Sequence, residues 1–153
     1  MVNDSIIRMW KEYVKSTGGS AASIGYTAWQ FGMTSEVADE LAYLVLAGRK
    51  RATASLVCSR EYEGEPLPLS GDLSIVLGGD GRAKCIIRTT AVNIMPFNTV
   101  SEEFARKEGE ADGSLESWKD IHRRFFAAEC QSIEKKFSED MDVVCEEFEL
   151  VFH

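Results

Sequence analysis

No stretch of this sequence stays apolar for the roughly 18 to 20 residues that a membrane-spanning helix needs. The first ten residues carry Asp4 and Arg8 in place of the apolar segment of a secretory leader. Both absences point to a cytoplasmic protein with no membrane partner. Proline is scarce, at three residues in 153, and no proline-rich linker or internal repeat divides the chain. One domain spanning residues 1–153 is therefore expected. Cysteine supplies no framework: Cys58, Cys85, Cys130 and Cys145 are widely spread with no C-x-x-C pair, and only two histidines accompany them. That spacing argues against a structural zinc site and for free, mostly buried thiols. Positive charge is also in deficit, since 17 Lys and Arg against 25 Asp and Glu give 17 − 25 = −8. Affinity built from many phosphate contacts is thereby disfavoured, and with it extended duplex DNA as a partner. A small, locally basic nucleic-acid site remains compatible with this charge.

What is present is an ordinary globular composition, 44% hydrophobic and 27% charged, with helical and strand periodicities in a definite order. Ile6, Ile7, Trp10 and Val14 follow helical spacing up to Gly18-Gly19. Thr34 or Ser35 is placed to cap a second helix carrying Val37, Ala38, Leu41, Leu44 and Val45, with Gly48 just past its end. Strands are expected at 51–58, 72–77 and 83–96, the last two joined as a hairpin through Gly78-Gly79-Asp80-Gly81. Ser101 is placed to cap a short helix ending near Lys107, and Ser114 a longer one with Leu115, Trp118, Ile121, His122, Phe125 and Phe126 along an apolar stripe. A final strand is expected over 142–152. Too few βα units alternate for a doubly wound sheet, so the fold class is α+β around a small, mostly antiparallel sheet. Helices occupy about 5–48, and strands with further helices about 51–153.

The most unusual local composition is Gly48-Arg49-Lys50-Arg51-Ala52-Thr53-Ala54-Ser55, three consecutive cations at a helix-to-strand joint in an acidic chain. On period two, Arg51, Thr53 and Ser55 share one strand face and Ala52, Ala54 and Leu56 the other. One reading is a helix C-terminus complemented by positive charge, followed by a half-exposed strand. The functional reading is an anion or nucleobase site in which Arg49 and Arg51 depress the Lys50 pKa, so that a neutral amine takes a proton from Thr53. That pairing requires Lys50 to lie in the turn before the strand. Tyr26, Trp29 and Phe31 form an aromatic cluster in a turn-like segment. They are either core packing or a surface on which a base stacks. His122 reads as a packed, hydrogen-bonded side chain, and Glu146, Glu147 and Glu149 as a solvated face.

The segment Leu46-Ala47-Gly48-Arg49-Lys50-Arg51-Ala52-Thr53-Ala54-Ser55 resembles the signature of the ASCH family, a glycine followed two residues on by lysine and often five further by arginine. Tyr26-Thr27-Ala28-Trp29-Gln30-Phe31-Gly32, Pro96-Phe97-Asn98-Thr99-Val100, Phe104-Ala105-Arg106-Lys107-Glu108-Gly109-Glu110 and Ser138-Glu139-Asp140-Met141 resemble bacterial single-domain members, in the same order. The resemblance implies a PUA-like β-barrel flanked by helices, with RNA or a nucleoside as the partner and no cofactor or metal. One small bacterial member removes the acetyl group from acetylated cytidine with a lysine, a threonine and a glutamate. These fall on Lys50, Thr53 and Glu108. Lys50 would then accept the Thr53 proton, the alkoxide would attack the amide carbonyl, and Glu108 would orient the lysine. Arg49, Arg51, Ser55, Tyr26, Trp29 and Phe31 would line the ligand. Ser55 stands where many members have arginine, which leaves an anion contact to Arg49, Arg51 or Arg60. Another member cleaves RNA and eukaryotic relatives act in transcription coactivation. The alternatives to a hydrolase are thus a non-catalytic RNA-binding module and an acidic protein-interaction domain.

Overall fold

A computed structural model describes residues 3–153. Helix α1 spans Asp4–Ser16, with the Asn3 side chain accepting from the Ser5 and Ile6 amides, and buries Ile6 and Tyr13. Strand β1 covers Thr27–Gln30. Helix α2 runs over Ser35–Leu46, where the Thr34 hydroxyl accepts from the Val37 amide. Strand β2, Ala52–Leu56, is followed at once by α3, Val57–Glu63. Strands β3, Leu73–Leu77, and β4, Ala83–Pro96, precede α4, Glu102–Glu108. Helix α5, Leu115–Ser132, and β5, Asp142–Phe152, complete the chain. Ser101 and Ser114 cap α4 and α5 by accepting from the Phe104 and Ser117 amides, each satisfying a donor that the helix itself leaves open.

The five strands form one mixed sheet in the order β1-β3-β4-β5-β2. β3 and β4 pair antiparallel as the expected hairpin, β2 and β5 also pair antiparallel, and β1 runs parallel to β3. The class is α+β, as the element order implied. Two local expectations fail. The segment around Trp29, expected to be turn-like, holds β1, because its four residues gain a ladder from β3 that sits more than forty positions away. The strand expected over 51–58 stops at Leu56: Val57 favours extended backbone, but it opens a helix that ends at Gly64 with φ +71°.

Contacts group the chain into two compact units. One contains residues up to Arg49, Ser70–Thr90 and Phe148–His153; the other contains Lys50–Leu69 and Ala91–Glu147. The first has two apolar clusters, one around Phe31, Leu41, Val45, Val76, Ile87 and Phe148, the other around Ile6, Tyr13, Leu73, Ile75 and Ile86. The second packs Ala52, Leu56, Phe97, Trp118, Phe126, Val143 and Cys145 together. All four cysteines are free thiols, and burial pushes those of Cys85 and Cys145 up to about 12. Among the described residues no helix is long and apolar enough to cross a membrane.

Two glycines should respond differently to alanine. At Gly48 (φ +79°) an added Cβ meets nothing within 4 Å, so Gly48→Ala is expected to cost only the left-handed strain, about 1–2 kcal/mol. At Gly79 the same atom would lie 2.3 Å from the Ser35 carbonyl oxygen. Urea unfolding of Gly79→Ala should therefore show the larger loss.

Candidate functional site

The site begins with the way α2 stops. The Arg49 amide bonds back to the Leu44 carbonyl at 2.9 Å and the Gly48 amide to Val45 at 3.0 Å. This pair of bonds closes a helix end through a left-handed residue, the conformation that Gly48 supplies. The Arg51 amide then donates to the Lys107 carbonyl at 2.7 Å, which ties the start of β2 to the end of α4. Arg49 and Arg51 are exposed while Lys50 between them is buried, at 2% exposure.

An ammonium taken out of water must be compensated by charge and hydrogen bonds. Lys50 Nζ donates to Glu108 Oε2 at 2.7 Å, to Glu110 Oε2 at 3.0 Å and to the Ala52 carbonyl at 2.9 Å. Glu108, the last residue of α4, is 1% exposed. Its other oxygen, Oε1, accepts from Trp118 Nε1 at 3.1 Å and lies 3.3 Å from His122 Nε2. Trp118 and His122 are four residues apart on α5, and therefore on one face, with ring centroids 4.2 Å apart and nearly parallel. His122 Nδ1 is 2.8 Å from the Trp118 carbonyl. Both imidazole nitrogens thus face acceptors, an arrangement satisfied by the doubly protonated ring.

The electrostatics agree with that assignment. Burial alone would lower the Lys50 pKa, but the carboxylates of Glu108 and Glu110 outweigh it and the net direction is upward. Burial would likewise raise Glu108, yet Lys50 and His122 hold it well below the usual carboxylate range. His122 is raised despite its burial, chiefly by Glu108. Glu110, whose side chain is 18% exposed, is pushed up to about 7 by burial and by the carboxylate of Glu108, against the pull of Lys50. It is the member of the cluster that changes charge near neutrality.

Glu108, Glu110 and His122 offer ligand atoms within 4.8 Å of one another, close enough for a metal ion. Lys50 already bonds one oxygen of each glutamate. A divalent cation there would sit against an ammonium.

The model of the ASCH domain family matches residues 27–152 of this chain. The chain belongs to the ASCH family. Its fold is the PUA-like fold of an ASCH domain from Lactobacillus crispatus JV V101, which is 36% identical with a TM-score of 0.93 over 99% of this chain and 97% of that one. Protein EF3133 from Enterococcus faecalis V583 is 37% identical, with a TM-score of 0.88 over 97% of this chain and 88% of that one. The hypothetical protein PH0355, at 19% identity and a TM-score of 0.53 over 82% and 97%, shares the fold alone. No curated protein matches the chain.

In this ASCH domain the expected site residues take unequal positions. Lys50 and Glu108 meet. Thr53 is half-buried on β2, directly across from Glu146 of β5. Ser55 is also half-buried, and its hydroxyl accepts from Arg60 Nε at 2.9 Å, so the guanidinium proposed to replace the family's distal arginine does reach that position. Tyr26, Trp29, Phe31 and Arg49 belong to the other compact unit. Tyr26 packs on Trp10 with centroids 4.7 Å apart, Trp29 meets Phe31 edge-on, and Phe31 is 5% exposed within an apolar cluster. Core packing is what Phe31 does.

Three expectations are corrected. Lys50 is not a depressed amine between two arginines: its nearest charges are carboxylates from 58 and 60 positions away, and they hold its proton on. His122 is packed and hydrogen-bonded, as expected, but it is also a charged partner of Glu108. Glu146 is not on a solvated face: it is 5% exposed, on the face of β5 that it shares with the fully buried Val144. Glu110, Trp118 and Glu146 were not singled out for the site. The Trp118–His122 spacing on an apolar stripe was the available signal.

Breaking the cluster should be costly. Glu108→Gln leaves two buried cations short of a counter-charge and is expected to destabilise by about 3–5 kcal/mol in urea unfolding. The pH dependence has a definite sign. Glu110 and His122 both have folded-state pKa values above their ordinary ones, so the folded state holds extra protons and stability falls as pH rises. For Glu110 this fall runs from about 4.5 to about 7, with a slope of at most about 1.4 kcal/mol per pH unit for its proton. Glu110→Gln should remove that part of the slope, as read from unfolding curves across the range.

Proposed function

We propose that the protein is a cytoplasmic nucleoside- or RNA-directed hydrolase, with Lys50, Thr53 and Glu108 at its site and an N-acylated cytidine as its substrate. The observation that carries the reading is the placement of the Lys50 ammonium, 2.9 Å from the carbonyl of the Ala52–Thr53 peptide and held between two carboxylates. A fixed positive charge beside the Thr53 backbone favours an anion that develops there, such as the oxygen of a tetrahedral intermediate. Glu108 supports the site by holding Lys50 through Oε2 and taking Trp118 and His122 on Oε1. In this scheme Thr53 is the nucleophile, Lys50 is a charged group and not the base, and Glu110 is a titrating neighbour whose ionisation near pH 7 sets the net charge of the cluster. Arg51, exposed beside Lys50, and Arg60, on Ser55, supply cations for a phosphate or a polar base edge.

RNA binding without turnover is the second reading, favoured by the saturation of the Lys50 ammonium with internal acceptors. Purified protein incubated with N4-acetylcytidine separates the two. Turnover that is abolished in Thr53→Val and falls by about 100-fold or more in Lys50→Met, with melting temperatures recorded for each variant, supports the hydrolase. Salt-sensitive binding of short single-stranded RNA with no release of acetate supports the module. Thr53→Val and Arg60→Ala variants that leave both turnover and RNA binding unchanged would remove the site from consideration.

A further inference from the structure

Thr53 can attack a carbonyl only if something takes its hydroxyl proton, and Lys50 offers no lone pair for it. The ammonium is engaged by Ala52, Glu108 and Glu110. Trp118, which bonds Glu108, shares an apolar cluster with Ala52 and Cys145, and Cys145 is the partner of Ala54 in the β2–β5 ladder. Side chains alternate along a strand, so Thr53 and Ser55 point to the opposite face.

The ladder places a carboxyl group on that face. Thr53 is directly opposite Glu146, and Ser55 directly opposite Val144. Residues opposed in an antiparallel pair share a face, with Cβ atoms about 4.5–5.5 Å apart, within reach of a glutamate side chain. Glu146 is 5% exposed, a buried carboxyl group that the scheme above does not use. The same face carries Arg60 through its bond to Ser55. We infer that Glu146, on the face of β2 and β5 that bears Thr53 and Ser55, is the proton acceptor for Thr53. The inference rests on the reading of Thr53 as nucleophile.

The step balances without an added reagent. Glu146 takes the hydroxyl proton as the Thr53 Oγ1–carbon bond forms and the carbonyl electrons move to oxygen. When the intermediate collapses, the carbon–nitrogen bond breaks and the departing amine takes the proton from Glu146. Water then attacks the acyl-threonine ester and gives its proton to the same carboxylate. The Thr53 oxygen recovers that proton as acetate leaves.

The test follows acylation of Thr53 itself, using p-nitrophenyl acetate with the full chain. Intact mass and peptide mapping should find the acetyl group on Thr53 in the wild type and nowhere in the chain's other hydroxyls. Glu146→Gln should keep the melting temperature and slow the acylation by about 100-fold or more. Glu146→Ala should recover rate on addition of formate, a response that a merely structural glutamate does not give. Where Glu146→Ala fails to fold, Glu146→Asp replaces it, with a rate expected between wild type and Glu146→Gln. Unchanged acylation in Glu146→Gln, or a wild type not labelled at Thr53, overturns the inference. If labelling depends on Glu146 but N4-acetylcytidine is untouched, the substrate reading fails and this one stands. If N4-acetylcytidine is hydrolysed equally by wild type and Glu146→Gln, the reverse holds.

Discussion

A lysine ammonium with almost no contact with water constrains everything near it. Removing such an ion from solvent costs several kcal/mol even after relaxation, and only well-placed acceptors offset it. Here the acceptors are two carboxylates and a backbone carbonyl within 3.0 Å. They come from two pieces of chain, the start of β2 and the end of α4 with the two residues that follow it. The Gly48 turn ends α2 so that Lys50 enters the interior while its arginine neighbours remain outside. The bond between Arg51 and Lys107 fastens β2 to α4, which brings the final residue of α4 beneath the ammonium. Helix α5 then supplies Trp118 and His122 to the oxygen of Glu108 that Lys50 does not use.

The cluster is nearly balanced in charge. Lys50 and His122 are cationic, Glu108 is anionic, and Glu110 decides the remainder near pH 7. Such a balance keeps a buried network from expelling one of its members. It also holds the proton on Lys50, whose amine therefore offers no lone pair. The β2–β5 ladder puts Glu146 across from Thr53 and Val144 across from Ser55. One face of β2 and β5 carries Ala52, Ala54 and Cys145 in an apolar cluster, and the other carries the Thr53 and Ser55 hydroxyls and the Glu146 carboxyl group.

Much of the fold was legible in the chain. The caps at Thr34, Ser101 and Ser114, the glycine after α2 and the hairpin of β3 and β4 appear where the residues indicate, because each depends on neighbours within a few positions. β1 and α3 were not legible. Four residues without strong alternation become a strand only when β3 offers hydrogen bonds, and Val57 is extended by preference but helical in place. The motif and its order along the chain single out Lys50, Thr53 and Glu108, of which Lys50 and Glu108 meet. Glu110 and Glu146 looked like ordinary surface acids.

What the sequence determined by itself was therefore local: helix ends, turns, strand alternation, and a lysine flanked by arginines at a hinge. The direction of the Lys50 charge shift, the cationic form of His122 and the burial of Glu146 were decided by tertiary structure alone. Electrostatic interactions depend on distance through space, and the carboxylates that hold Lys50 are separated from it by more than fifty residues of chain. Strand identity and local charge state which side chains are available. Only the ladder register and the packing of α4 and α5 decide which of them meet.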